Sequence, residues 1–167
     1  MLFLLIYILP GIILFIALLY LLNWLSYTWL KNKVLNKNKW DLNICCGKTD
    51  GGGINADIIR HADVRNFVLI PDMYHLPFAD RQFGTILCSH TIEHIDDPLL
   101  FHRELSRIGE NITYLLPPLW DISAAFNIFE HRWLFFTLVS EHRDLPMFIK
   151  LPFAGLFQKV FGQQIKA

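Results

Sequence analysis

Hydrophobic residues fall along this chain in two regimes. From Leu2 to Leu22 they run almost unbroken, and Met1 to Leu30 contains no Asp, Glu, Lys or Arg. As a helix, the run from Leu2 to Leu22 would extend roughly 30 Å, about one hydrocarbon core, and it predicts a transmembrane helix over residues 2–22. Beyond Trp40 the apolar residues come in short blocks closed by Gly, Pro or Asp. These blocks predict strands at Leu42 to Cys46, at the segment ending in Asn55-Ala56-Asp57-Ile58, at Asn66 to Ile70, at Phe83 to Cys88 and at Ile112 to Leu116. Near-continuous apolar character is expected of strands covered on both faces.

One helix is legible among them. Asp96 or Asp97 supplies its cap, Pro98 its first position and Gly109 its end. Phe101, Leu105 and Ile108 repeat at helical spacing, with Arg103, Glu104 and Arg107 facing outward. Between Gly47 and Ile54, however, there are too few residues for a helix. A parallel pair normally needs a crossover of about a dozen residues or more. Lys48 to Gly53 reach roughly 20 Å when extended, barely enough to return along a short strand. The expected architecture is α/β, a mostly parallel sheet with a reduced set of crossover helices, preceded by one transmembrane helix.

Past Trp120 the pattern turns aromatic. Ala124 to Leu138 reads as a helix carrying Glu130-His131-Arg132, and Leu145 to Phe161 as an apolar stretch broken by Pro146 and Pro152. The chain thus divides into a transmembrane helix and interfacial belt (1–30), a basic tether (31–40), a core (41–118) and a helical or apolar extension (119–167).

Composition sharpens the picture at the amino terminus. Over 167 residues the chain is 53% hydrophobic with mean hydropathy +0.34, too apolar for an ordinary soluble domain. A cleaved signal peptide would want a basic residue before the apolar run and small residues after it, and neither is present. Pro10-Gly11 inside the span predicts a kink. Trp24, Tyr27 and Trp29 make a candidate interfacial belt, followed by Lys31, Lys33, Lys37 and Lys39. By the positive-inside tendency the anchor is single-pass with the domain on the cytoplasmic side. Fifteen basic against fifteen acidic residues give no electrostatic footprint for nucleic acid. Cys45, Cys46 and Cys88 fit reduced thiols better than a disulfide framework.

The chemistry is concentrated in LNICCGKTDGGGINADI, beginning at Leu42, and DMYHLPFADRQFGTILCSHTIEHIDDP, beginning at Asp72. Acidic residues and a polar loop lie where neighbouring parallel strands end, which is how α/β sheets build a ligand site. In order and spacing, Asp41 to Pro118 resembles the small class I S-adenosylmethionine-dependent methyltransferases of the "type 11" kind. The resemblance implies a Rossmann-like fold and S-adenosylmethionine as cofactor. It implies a close backbone approach at Gly47, a ribose-binding carboxylate at Asp57, and an adenine contact from Asp72 and the N–H of Met73. Ser89 and the loop to His94 would lie beside the sulfonium and the acceptor. The family's Gly-x-Gly turn is reduced here, with Cys45 where the first glycine would stand.

His94, His90 and Glu93 are the candidate bases for an acceptor that must lose a proton, with His131 a distant fourth read as a solvated helix residue. His90-Thr91-Ile92-Glu93-His94 also matches H-x-x-E-H, but that zinc chemistry needs both histidines on one helix face and Asp96-Asp97-Pro98 leaves little room. A zinc site from Cys45, Cys46, Cys88 and His90 is disfavoured because adjacent cysteines point to opposite sides of a strand. No metal is expected. Asn111-Ile112-Thr113, a sequon by pattern, opens a buried strand. The expectation is a membrane-anchored methyltransferase acting on a small-molecule or lipid-linked acceptor. The alternative is a degenerate methyltransferase fold kept as a non-catalytic, membrane-bound interaction module.

Overall fold

The structure is a computed structural model that describes residues 2–37 and 39–163. Helix α1 (Leu2–Asn23) runs through a π-helical stretch (Trp24–Leu30) into α2 (Lys31–Leu35), and Pro10 lies inside α1 without ending it. Ile8–Leu35 is long and apolar enough to cross a membrane, with mean hydropathy 2.3 in its most apolar window. Its exposed Trp24 and Trp29 fit the expected belt, whereas Tyr27 turns its ring to His90, 4.9 Å away between centroids.

Where a tether was expected, the chain is helical and seated. Val34 on α2 packs with Trp40, Leu87 and Leu115, and Trp40 Nε1 donates to the Leu35 carbonyl at 3.2 Å. Apolar side chains on both sides of the expected linker give it a reason to dock.

Strands β1 (Trp40–Ile44), β2 (Gly52–Asp57), β3 (Phe67–Leu69), β4 (Phe83–Ser89), β5 (Gly109–Leu115) and β7 (Glu141–His142) form one sheet. The order is β3-β2-β1-β4-β5-β7, parallel except for β7. This is the expected Rossmann-like sheet, and its crossovers are indeed reduced. Among the described residues, α3 (Pro98–Ile108) is the only helix joining consecutive parallel strands. Asp97 caps it by accepting from Leu100 N at 2.9 Å, with Pro98 at the first position. Phe101, Leu105 and Ile108 are buried against the sheet beside Leu42, Ile44, Ile86 and Tyr114.

β1 ends at Ile44, two residues before the sequence suggested, because Cys45 takes a left-handed φ of 52°. The missing helix between β1 and β2 is replaced by a buried amide pair. Asn43 Nδ2 donates to Asn55 Oδ1 at 3.0 Å and to the Thr49 carbonyl at 3.0 Å, while Asn55 accepts from Gly51 N at 2.9 Å and donates to the Arg65 carbonyl at 2.8 Å. The loop is tight enough that a Cβ on Gly53 would stand 2.3 Å from the Trp40 carbonyl oxygen.

The extension differs from expectation. In place of a helix over Ala124 to Leu138 there is one short turn, α4 (Ile122–Ala125), and strand β6 (Trp133–Phe135). β6 pairs antiparallel with β8 (Phe148–Lys150), and α5 (Ala154–Phe161) follows. The aromatic, branched run from Trp133 to Thr137 favours a pleated surface over a helix. The consequence for the site is that His131, on the loop before β6, is turned inward.

Candidate active site

The carboxyl ends of the neighbouring strands β1, β2 and β4 carry Gly47, Asp57 and Ser89 to one edge of the sheet. Gly47 follows β1 with φ 55°, and its N–H donates to Asp57 Oδ2 at 2.9 Å. Asp57 closes β2, and its Oδ1 accepts from Ile58 N at 2.7 Å. A carboxylate offers about four lone-pair sites, so each oxygen keeps one for a further donor. Asp57 is nonetheless only 6% exposed, which confines any such donor to the crevice between Gly47 and the strand ends.

Ser89 closes β4 with its hydroxyl buried and without a partner. Asp72 sits farther out, half-buried, its carboxylate accepting from Tyr74 N and pairing with His75 Nδ1, both at 2.8 Å. The His75 hydrogen bond, then that of Tyr74, holds it below the usual carboxylate range. Met73 is half-buried and packs against the edge of the core.

After Ser89 the chain turns sharply, His90 taking φ 49°. Residues 90–95 form turns and bends, not the helix that H-x-x-E-H zinc chemistry would require. Glu93 is fully buried and neither oxygen has a hydrogen bond, although His90 Nδ1 lies 3.4 Å from Oε1. Burial pushes its carboxyl up, but His90 and the neighbouring charges of His94 and His131 outweigh this and hold it at about 2. His94 Nδ1 lies 3.1 Å from the Glu130 carbonyl oxygen. A carbonyl can only accept, so Nδ1 carries a proton, and in the neutral ring Nε2 keeps its lone pair.

His131 is a correction to the sequence reading. It is 6% exposed and edge-on to His94, with ring centroids 4.7 Å apart, and its Nδ1 has no partner. Burial pushes its imidazole down to about 4, so it is neutral at physiological pH. The loop is held by Arg132 N and Trp133 N, which donate to the Glu93 carbonyl at 2.7 and 3.2 Å, and by Trp133 Nε1, which donates to the Ile95 carbonyl at 2.8 Å. These are long-range contacts with no local sequence signature, which is why spacing alone leaves His131 on a solvated helix face.

Beyond this cluster lies a cavity of about 580 Å³. His90, His94, Glu130 and His131 line one side of it. Ile16, Leu19, Tyr20, Asn23 and Tyr27 line the other, a single stripe of the amino-terminal helix at helical spacing. Buried Asp121 holds the two walls together. It accepts from Asn23 Nδ2 at 3.2 Å and from the Ser26 hydroxyl, and caps α4 by accepting from Ala124 N at 3.2 Å. The loop that leaves β4 at Ser89 thus carries a Glu–His cluster whose histidines face a cavity walled by an apolar helix.

All three cysteines are free, and Cys46 and Cys88 are buried. Burial, followed by the charge of Asp57, raises the Cys46 thiol to about 11.

Residues 54–114, from β2 through β5, match a family model described as a methyltransferase domain. The match covers well under half of the chain and leaves out Gly47, the amino-terminal helix and His131. In structure, the chain is similar to a SAM dependent methyltransferase from Aquifex aeolicus, with 13% identity and TM-score 0.40 over 56% of this chain. It covers 66% of that protein, just under two thirds. No curated protein matches the sequence.

Proposed function

We propose that the chain is a membrane-anchored, S-adenosylmethionine-dependent methyltransferase whose acceptor occupies the cavity between the amino-terminal helix and the histidine cluster. The observation that carries this reading is that the cavity is lined by His90, the residue directly after Ser89 at the end of β4. One wall belongs to a helix able to cross a bilayer, and the other to the loop after β4.

The crevice fits the cofactor. Asp57 has lone pairs left for two vicinal ribose hydroxyls, the buried Ser89 hydroxyl lacks a partner, and left-handed Gly47 lets the backbone come close. Asp72 and the Met73 N–H stand at the outer end for adenine. When bound, the cofactor supplies an electrophilic methyl group on its sulfonium. The residues of the chain then have to align the acceptor and exclude water.

His90 is the base this geometry favours for a hydroxyl or amine acceptor. Its Nδ1 faces the Glu93 carboxylate, leaving Nε2 as the nitrogen that takes the proton. Tyr27 lies against the same ring and fixes it from the helix side. Ile16, Leu19 and Tyr20 give the cavity an apolar extension along the helix. An amphiphile matches this shape, with its reactive head among the histidines and its tail along α1, and a lipid or lipid-linked molecule is the acceptor class we assign. With the lysines after the span held on the cytoplasmic side, the domain works there.

Titration calorimetry on the full-length chain in detergent tests the reading, using S-adenosylmethionine with wild type, Asp57→Asn and Asp72→Ala. Wild type is expected to bind in the micromolar range, and each substitution to weaken binding about tenfold or more. Labelled methyl transfer to membrane lipid extract would then identify the acceptor fraction. A folded chain that binds no cofactor would leave only the non-catalytic, membrane-bound module.

A further inference from the structure

Glu93, His94 and His131 each offer a ligand atom, and these atoms lie within 4.8 Å of one another. Two further observations point to a ligand. The Glu93 carboxylate is fully buried with neither oxygen hydrogen-bonded, and buried His131 Nδ1 has no partner either. Burying a carboxylate without hydrogen bonds is costly unless a cation compensates it. His94 already shows the arrangement common to metal-binding imidazoles, one nitrogen donating to a backbone carbonyl while the other keeps its lone pair. That carbonyl belongs to Glu130, beside His131, so the loop that delivers the third ligand also orients the second.

We propose that Glu93, His94 and His131 form a binding site for a divalent transition-metal ion of the zinc class, open towards the cavity. Two imidazoles and one carboxylate are a donor set suited to zinc, cobalt or iron, and three protein ligands leave a position for an exogenous oxygen. Ligands around such an ion stand roughly 3.4 Å apart, so the three side chains close by about 1 Å when it binds. The site uses the second half of the H-x-x-E-H motif. Its remaining histidine ligand comes from the loop before β6, since His90 faces Glu93 from the other side. The metal site does not rest on the methyltransferase reading.

The test is metal uptake by the purified full-length chain in detergent, stripped with chelator and titrated with Co²⁺, with Zn²⁺ as competitor. Wild type should take up one ion per chain with the visible absorption of a nitrogen and oxygen site and no thiolate charge-transfer band. Glu93→Gln and His131→Gln should each weaken uptake by about tenfold or more. Circular dichroism on the same samples shows whether each variant is folded, and the wild-type spectrum decides the matter alone if Glu93→Gln is not. Three results would overturn the site: a folded chain without stoichiometric uptake, a thiolate spectrum, or folded variants that bind as well as wild type. Cofactor binding measured alongside separates this failure from failure of the methyltransferase reading.

Discussion

Cys45 occupies a backbone position that a glycine would fill at lower conformational cost, yet its φ of 52° keeps the turn that brings Gly47 to Asp57. The substitution therefore alters the side chain at the turn and leaves the path of the backbone intact. It also places a thiol beside two others in the core, and their environments predict how they react. Burial raises the Cys45 and Cys88 thiols well above their ordinary range, and Cys46 to about 11. At pH 7 a thiol titrating at about 11 is ionised to about one part in ten thousand, roughly two orders of magnitude less than an unperturbed cysteine. In the folded protein all three should resist alkylation at pH 7. The Cys46 rate should climb about tenfold per pH unit towards pH 11, and denaturation should expose three rapidly reacting thiols. Stopped-time labelling followed by intact mass measures this, and rapid single-site labelling of the native chain at pH 7 would contradict the buried placement.

Elements in this fold are held by polar pairs where helices are missing. Asn43 and Asn55 carry the connection from β1 to β2, and Asn55 alone meets Asn43, Gly51 N, Asp50 and the Arg65 carbonyl. Asn55→Ala leaves Gly51 N and the Arg65 carbonyl without partners, each costing about 1–3 kcal/mol when buried. The expected loss is about 3 kcal/mol, seen as a lowered denaturant midpoint with an unchanged slope; a loss below about 0.5 kcal/mol would mean that water or loop relaxation replaces the amide. The contrast between elements explains what could be read in advance. The strands, the Asp97 cap and Pro98 carry local signals, and the structure has them within a few residues of their expected places. Asp57 and Ser89 were legible because each closes a strand, and Gly47 and Asp72 because each follows shortly after one. The inward placement of His131 and the Asn43–Asn55 pair were not, because they depend on partners brought close by the fold. β6 stands where a helix was expected, because its aromatic run prefers a pleated surface.

At the scale of the whole molecule, one buried carboxylate ties the apolar helix to α4 beside the cavity. Asp121 reaches Asn23 and Ser26 on the helix with one oxygen, while the other takes the Ser123 hydroxyl and the Ala124 N–H of α4. The π-helical stretch begins at Trp24, between these two partners, and widened helical turns of this kind recur at functional sites. Here the stretch includes Ser26, facing Asp121, and Tyr27, facing His90. If the cavity receives an acceptor from the bilayer, the position of the helix sets acceptor affinity and has no part in holding the cofactor. Asp121→Ala should therefore leave cofactor affinity within about twofold, while the KM for lipid acceptor in vesicles rises about tenfold, the equivalent of one charge-assisted hydrogen bond. Ser123→Ala removes only the α4 contact and should leave both quantities near wild type. Hydrogen exchange over residues 23–30 supplies a readout that needs no turnover, since the helix should exchange faster once its carboxylate partner is gone. Faster exchange with an unchanged KM would place acceptor binding away from the helix wall. A loss of cofactor affinity would instead mean that Asp121 supports the strand ends themselves.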